Sequence, residues 1–588
     1  MRLDDTLVPS ILEKPKHVRR GLRDYLPAIE WLGQYERRDL SGDVIAGAVV
    51  AVMLVPQAMA YSNLAGLPPQ LGLYSSIAAL FLCAVFSTSR FLSVGPVAIV
   101  SVLTAAGVGQ LAAPGSDEYV GLAVTLSLLV GLIQFIMGFF RIGFIVNFIS
   151  HPVFSGFMSA AAVIIVASQL KTVLGLSLPY SEKLFVTLPG VYRQLYNTNY
   201  YTFALGAGGV AFLLFFPTLL KRLSKRLRLA EPLVEILTKS APLLLVVASA
   251  AAVWFLQLNV NEKVAVVGAI PAGLPHLVLP PVGYAQSLLP IAFAIAFVGF
   301  MESYSVAATL GGKRGQKIEP NQELIALGAA NLGATFLGGY SVTGSFSRSM
   351  VNFMAGASTQ LSSIVTVVLI VVTVTFLMPL FYYLPQATLA AVILVAVKDL
   401  FDAHGLRHIW NYSRADGYSW FVTFFSILIF DIQVGILIGA IAAITLYLWR
   451  TSQPHVVVVG RVGNTEHFRS VSRYDVTTFP SVLAVRVDEN LYFANTKYLE
   501  DYLFYTVLQT GQIQHLVLIL SGVNFIDVSA LDTLEKLVVE MKALGITVYL
   551  AEIKGRTMDK IEDSDFINAV GRENVFLTAH EAMSYLGC

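Results

Sequence analysis

The segment 338-GGYSVTGSFSRSMVNFMAG-356 sets one arginine, Arg348, among the hydroxyl residues Ser341, Thr343, Ser345, Ser347 and Ser349, with apolar sequence on both sides. A guanidinium keeps its charge in a protein, so Arg348 needs either water or an anion. On a helix starting near Gly344, the residues Ser345, Arg348, Ser349 and Asn352 share one face at i, i+3, i+4 and i+7. Phe346, Met350, Phe353 and Met354 fall elsewhere. The serines fit tight helix packing as readily as ligand binding. The arginine does not, because an intramembrane charge costs at least about 2.5 kcal/mol unless compensated.

The surrounding chain makes "intramembrane" the right word. Its 588 residues are 56% hydrophobic and 13% charged, with mean hydropathy +0.69. Soluble proteins carry about 25% charged residues, so this composition indicates a membrane protein. A net charge of +1 argues against a nucleic-acid partner. Cys83 and Cys588 are the only cysteines, which argues against a structural disulfide or a thiolate metal site. His151, in the stretch ISHPV, has no His or Cys nearby and reads as a helix-end residue rather than a metal ligand. Neither a metal nor a cofactor is expected. Residues 1–42 mix acids and bases without the apolar core of a cleavable signal, and read as a cytoplasmic N-terminal region. The stretch 311-GGKRGQK-317 lacks the spacing and the hydroxyl of a phosphate-binding loop, so direct ATP drive is not expected. No nucleophile–base constellation supports an enzyme.

Apolar runs at 43–61, 70–86, 118–140, 144–168, 200–219, 241–257, 288–310, 360–381 and 418–449 are long enough to cross a bilayer as helices. The last is long enough to split at Asp431 into two spans. Weaker runs lie at 323–339 and 384–397, while 94–109 and 343–356 begin abruptly at Gly/Pro/Ser clusters and are too short to cross fully. Fourteen spans result. Charge placement supports the count, because cytoplasmic connections are enriched in Lys and Arg. With the N-terminus inside, even-numbered connections contain Arg90, Arg141, 221-KRLSKRLR-228 with Lys239, Lys313, Arg314, Lys317, Lys398, Arg407 and Arg414. The others hold Lys171, Lys183, Arg193 and Lys263. A transmembrane domain over 43–450 with both termini cytoplasmic follows. From 451 to 588, strand-like runs (456–460, 482–487, 515–522, 549–553) alternate with helical patterns (496–510, 529–544), which predicts a small cytoplasmic α/β domain.

The segments 93-SVGPVAIVS-101 and 341-SVTGSFSRS-349 share three of nine positions, and each is the third predicted span of seven. Seven is odd, so the second half enters the membrane in the opposite orientation. Paired interrupted helices of this kind point to a transporter's binding site. A half-helix starting mid-membrane leaves amide N–H groups unpaired at the positive end of its dipole, and two such ends facing each other suit an anion. In 55-VPQAMAYSN-63, Gln57 and Tyr61 lie one turn apart behind Pro56. They are read either as site residues or as locally satisfied groups at a kink. In 299-GFMESYSVAATL-310, Glu302 shares a face with Ser305 and Thr309. A proton-binding role, an ion pair with Arg348 and part of a sodium site are its three readings.

The stretches 68-PPQLGLYSS-76, 150-SHPVFSGFMSAA-161 with SQLK at 168–171, and 342-VTGSFSRS-349 resemble the sulfate permease (SulP) family, which includes the solute-carrier anion exchangers and prestin. The resemblance covers the chain from about residue 35. It implies a fourteen-span 7+7 inverted repeat of the UraA-like kind, a core domain moving against a gate domain, a C-terminal STAS domain and a homodimer. It also implies an anion between the N-termini of the third helix (Gly95, Pro96, Val97, Ala98) and the tenth (Ser345, Ser347, Arg348), with Gln57 and Tyr61 reaching the same place. Glu302 matches the acid linked to proton symport. Ser529, in 525-FIDVSAL-531, falls at or beside a regulatory phosphorylated serine, although Val528 departs from the usual pattern; Asp527 and Ser529 fit helix capping equally. The expected function is proton-coupled sulfate uptake across the cell membrane. Bicarbonate, chloride or C4-dicarboxylate transport, sodium coupling and exchange are the alternatives, and a signalling role centred on the STAS domain is a third. A cytosolic protein or a nucleotide is a candidate STAS ligand.

Overall fold

The computed structural model describes residues 26–144, 150–176, 178, 184–227, 234, 237–271, 273–430 and 432–588. Asp431, Lys183, Arg228, residues 1–25 of the N-terminal region and part of the 144–168 run lie outside them. The chain divides into two compact units, Met1–Ala440 and Ile441–Cys588.

Among the described residues, fourteen helices correspond in order to the expected membrane spans. The first seven are α1 Asp39–Leu64, α2 Pro69–Phe86, α3 Ala98–Val108, α4 Asp117–Phe139, α5 His151–Leu174, α6 Tyr200–Leu227 and α7 Ala241–Leu256. The second seven are α8 Ala285–Gly312, α9 Pro320–Phe336, α10 Phe346–Met354, α11 Leu361–Val372, α12 Gln386–Val397, α13 Arg414–Ile429 and α14 Ile432–Thr451. Eight helices among the described residues are long and apolar enough to cross a membrane. The third helix of each seven is shortest or nearly so, with 11 residues in α3 and 9 in α10. The polypeptide leading into each is extended, and these lead-in segments pair antiparallel as β1 (Val94–Gly95) and β2 (Thr343–Gly344). This is the crossing an inverted 7+7 repeat requires.

Local chemistry explains several boundaries. Pro69, Pro152, Pro242 and Pro320 occupy the first turns of α2, α5, α7 and α9, where a missing N–H is harmless. Ser116 caps α4 by accepting from the Tyr119 amide. The fifth span runs to Leu174, beyond the expected 168, and stops where Gly175 adopts a left-handed φ of 68°. α6 continues past its apolar run into the basic KRLSKRL stretch, because Lys and Arg are good helix formers. α11 loosens into a π turn at Thr373–Leu377 before Pro379 ends it.

Helices α1, α2, α4, α8, α9 and α11 pack as one group: α9 against α4 and α2, α11 against α1, α8 against α4. Helices α5, α6, α12 and α13 form another, with α13 and α12 against α5 and α12 against α6. This is the core-and-gate division. The second unit carries a six-stranded sheet in the order β4-β3-β5-β6-β7-β8. Its strands are β3 Val456–Arg461, β4 Phe468–Ser470, β5 Val482–Val487, β6 His515–Ile519, β7 Thr547–Ala551 and β8 Val575–Phe576. Strands β5 to β8 are parallel. Helices α15 (Thr496–Thr510) and α16 (Val528–Ala543) cover one face with Leu499, Leu503, Leu534 and Leu537. The strand-and-helix pattern after residue 450 thus folds as an α/β domain.

Candidate functional site

Both half-helices begin uncapped. Val97 (φ −136°, ψ 155°) and Ser345 (φ −109°, ψ 125°) precede α3 and α10 in extended conformation, and neither end has a side-chain cap. The earliest amides to bond back are Ser101, to the Val97 carbonyl at 3.0 Å, and Ser349, to the Ser345 carbonyl at 3.0 Å. The amides of Ala98, Ile99 and Val100, and of Phe346, Ser347 and Arg348, therefore have no partner within their helices. Pro96 keeps the first helix from extending further back, since Gly95, the residue before the proline, avoids helical dihedrals.

A buried polar scaffold holds the two lead-in strands. Asn331 Nδ2 donates to Gln134 Oε1 (2.9 Å) and the Val342 carbonyl (3.1 Å), while its Oδ1 accepts from the Val342 amide (2.8 Å). Ser303 Oγ accepts from the Gly344 amide at 2.6 Å, and Thr343 Oγ1 donates to the Gly299 carbonyl at 2.5 Å. Ser349 Oγ accepts from the Ser93 amide at 2.9 Å, and Asn352 Nδ2 donates to the Phe91 carbonyl at 3.2 Å. Further back, Glu323 accepts from the Ser87 and Thr88 hydroxyls and the Thr88 amide, and Asp43 from the Ser358 and Thr359 amides and the Thr359 hydroxyl. The sequence reading gave none of Asp43, Gln134, Glu323 or Asn331 a role. Their signal was present: each is a polar residue in an apolar span, which by itself demands a partner.

A cavity of about 540 Å³ ends between the two helix starts. Val97, Ala98 and Ile99 line it from one side, Ser345, Phe346 and Ser347 from the other, with Tyr61, Glu302, Ser305 and Thr309 between them and the far end. That far end is lined by His151, Phe154, Leu400 and Asp402.

The expected site residues fall into two layers. Tyr61, Val97, Ala98, Ser345, Ser347 and Glu302 line the cavity. Gln57, Gly95, Pro96 and Arg348 do not; they stand behind its wall. Ser347 and Arg348 point apart because successive helical residues differ by about 100°. Ser347 faces the cavity, whereas Arg348 is fully buried together with Ser349 and Asn352. The predicted polar face of α10 is thus its buried face, and Phe346 and Met354 are exposed. Arg348 Nη1 donates to the Pro96 carbonyl at 3.0 Å and reaches Gln57 Oε1 at 3.5 Å, the limit of a hydrogen bond. Among the described residues its Nε and Nη2 have no partner, nor does Glu302 Oε2, so Arg348 and Glu302 do not form an ion pair with each other. A side chain at Gly95 would press on Arg348, its β carbon lying 3.3 Å from Nη2. In the second unit, Asp527 caps α16 by accepting from the Ala530 amide at 2.7 Å, and Ser529 lies exposed within the first turn.

The sequence model of the sulfate permease family matches residues 40–423. The chain belongs to the sulfate permease family. A STAS domain model matches residues 473–582. Among sulfate permease relatives, sulfate transporter 4.1, chloroplastic, of Arabidopsis thaliana is 34% identical over 570 residues, covering 95% of this chain and 82% of the relative. High affinity sulfate transporter 2 of Stylosanthes hamata is 28% identical, covering 96% and 87%. The murine Solute Carrier 26 family member A9 anion transporter, solved in an inward-facing state, superposes with a TM-score of 0.87 at 25% identity over 99% of this chain and 98% of that one. The transmembrane domain of the cyanobacterial bicarbonate transporter BicA shares the fold, with a TM-score of 0.58 at 23% identity over 70% of this chain and 98% of that one. Family membership places this sulfate permease among membrane transporters rather than enzymes.

Proposed function

We propose that the protein takes up sulfate by alternating access, with a proton on Glu302 as the coupled ion. The observation that carries this reading is the cavity end formed by two uncapped helix N-termini, backed by a guanidinium with two free donors. Sulfate there accepts from the amides of Ala98, Ile99, Phe346 and Ser347 and from the Ser345, Ser347 and Tyr61 hydroxyls. Arg348 supplies its charge from behind; Gln57 and the Pro96 carbonyl hold the guanidinium in place, and Gly95 leaves room for it. Glu302 faces the same cavity, so a bound dianion raises its proton affinity, and linkage obliges the proton to raise sulfate affinity equally. Coupling of about 1–3 kcal/mol makes joint binding the usual state.

The cavity extends toward His151, Thr309 and Asp402, at the helix ends that adjoin Lys- and Arg-rich connections. On the positive-inside rule this conformation is inward-facing, and the core group carries the site against the gate group. A homodimer in the cell membrane with both termini cytoplasmic belongs to the same reading. A fluorescent fusion tests the membrane, since one relative is named chloroplastic; light scattering in detergent tests the dimer. Ser529 is proposed as a regulatory phosphorylation site, with full transport by a Ser529→Asp variant counting against it. Sulfate uptake into liposomes under an imposed pH gradient tests the main claim. Uptake should follow the gradient in wild type and lose that dependence in Glu302→Gln; retained concentration of sulfate by the variant removes Glu302 from the coupling. The cavity exceeds what the five heavy atoms of sulfate fill, which keeps a C4-dicarboxylate as the second reading. Succinate outcompeting sulfate in the same assay decides for it.

A further inference from the structure

A second cavity, about 560 Å³, shares no residue with the first. Its lining includes Trp31, Gln34, Arg38, Arg90, Arg314 and Thr359. Among the described residues, three guanidiniums meet two carboxylates there, Glu36 and Asp39. Arg38 is already neutralised by Glu36 at 2.8 Å. Among the described residues, Arg90 and Arg314 have no carboxylate partner; Arg90 Nη2 donates to the neutral Gln34 at 3.3 Å. Arg314 is held by stacking, 5.1 Å from the Phe353 ring and 5.8 Å from that of Phe91. Stacking fixes the plane of a guanidinium while leaving its edge donors free, which favours a ligand with several anionic oxygens.

We propose that this cleft binds a phosphate-bearing ligand between Arg90 and Arg314. The cleft is lined mostly by polar and charged side chains and, at about 560 Å³, is roomy enough for a phosphate and the group attached to it. Two sources share that chemistry, a lipid headgroup and a free phosphate compound. The adjoining helix Ala28–Gly33 exposes Ile29 and Leu32 while burying Trp31, which is how an interfacial segment at headgroup depth is built. The site also bears on transport. Phe91 lies in the segment leading into α3 and Phe353 on α10, and their rings meet edge to face at 5.0 Å directly under Arg314. A ligand gripping Arg314 therefore loads the junction behind both half-helices.

The test uses full-length protein, melted in detergent with inorganic pyrophosphate and in nanodiscs of phosphatidylcholine with or without phosphatidic acid. A rise in Tm with pyrophosphate identifies a free-phosphate site, and a rise confined to phosphatidic acid identifies a headgroup site. In either case Arg90→Gln and Arg314→Gln should each weaken the response about tenfold or more while leaving the response to sulfate intact. No rise with either probe overturns the proposal. So does a rise that survives both substitutions, and its loss in Arg348→Met then places the probe in the transport cavity. Should a variant fail to fold, pyrophosphate titration of wild type at saturating sulfate replaces it. An undiminished rise supports a separate site, and a competed one overturns it.

Discussion

Replacing Arg348 by methionine should move stability and affinity in opposite directions. The guanidinium is completely buried, one nitrogen is engaged by the Pro96 carbonyl, and Nε and Nη2 have no partner. An unpaired buried charge is destabilising, and a side chain of similar length without charge relieves it. Ligand-free Arg348→Met should therefore melt no lower than wild type. Sulfate binding should respond the other way. At one helical turn, about 5.4 Å, a dianion and a guanidinium attract by about 6 kcal/mol at an effective dielectric of about 20. Desolvation and cavity water offset about half of this, leaving about 3 kcal/mol, or a rise of about 150-fold in Kd. Titration calorimetry of the detergent-solubilised pair reads the affinity, and melting without sulfate reads the stability. A Kd within about threefold of wild type, together with a Tm lowered by several degrees, would make Arg348 a structural tie and not an anion-binding charge.

Other expectations follow from the same geometry. Asn331→Leu strands the amide and carbonyl of Val342 and the Oε1 of Gln134 in a dry interior, so a loss of about 3 kcal/mol or more is expected in thermal or denaturant melts. Gly72→Ala drives a β carbon into the Ala58 carbonyl oxygen where α2 crosses α1; a loss of at least about 2–3 kcal/mol should appear as reduced yield and a lowered Tm. In the α/β unit, burial alone would raise the Asp488 carboxyl, but its hydrogen bonds with Arg486 and His455 hold it below its ordinary value of 3.8. A depressed folded pKa contributes stability above 3.8 that disappears as pH falls below it. Amide exchange of β5 in full-length protein should therefore be faster in Asp488→Asn than in wild type at neutral pH, and the difference should close in strong acid.

Much of this molecule was legible in its sequence, for identifiable reasons. Span number follows from apolar length and charge parity, which are one-dimensional. The two half-helices were legible because Gly95-Pro96 and the Ser/Thr/Gly run before Phe346 interrupt otherwise apolar sequence. Aligning 93–101 with 341–349 even pairs Ala98 with Phe346, the first helical residue of each. Side-chain direction was harder. Ser347 and Arg348 are sequence neighbours serving different layers, one at the cavity and one behind it. The scaffold was illegible as a network, because Gln134, Asn331 and Val342 meet only after α4 and α9 pack. The Arg90–Arg314 cleft was hidden likewise: both residues were counted as topogenic charges, and only the fold stacks Arg314 on Phe91 and Phe353.

In the proposed site an anion sits between two helix N-termini with Arg348 behind it. Selenate is a close sulfate analogue whose selenium scatters anomalously, so crystals of the protein grown with selenate locate the anion directly. An anomalous peak is expected within hydrogen-bonding reach of the Ala98, Ile99, Phe346 and Ser347 amides, lost in Arg348→Met. A peak absent there in the wild-type protein, or found only at the Arg90–Arg314 cleft, would contradict it.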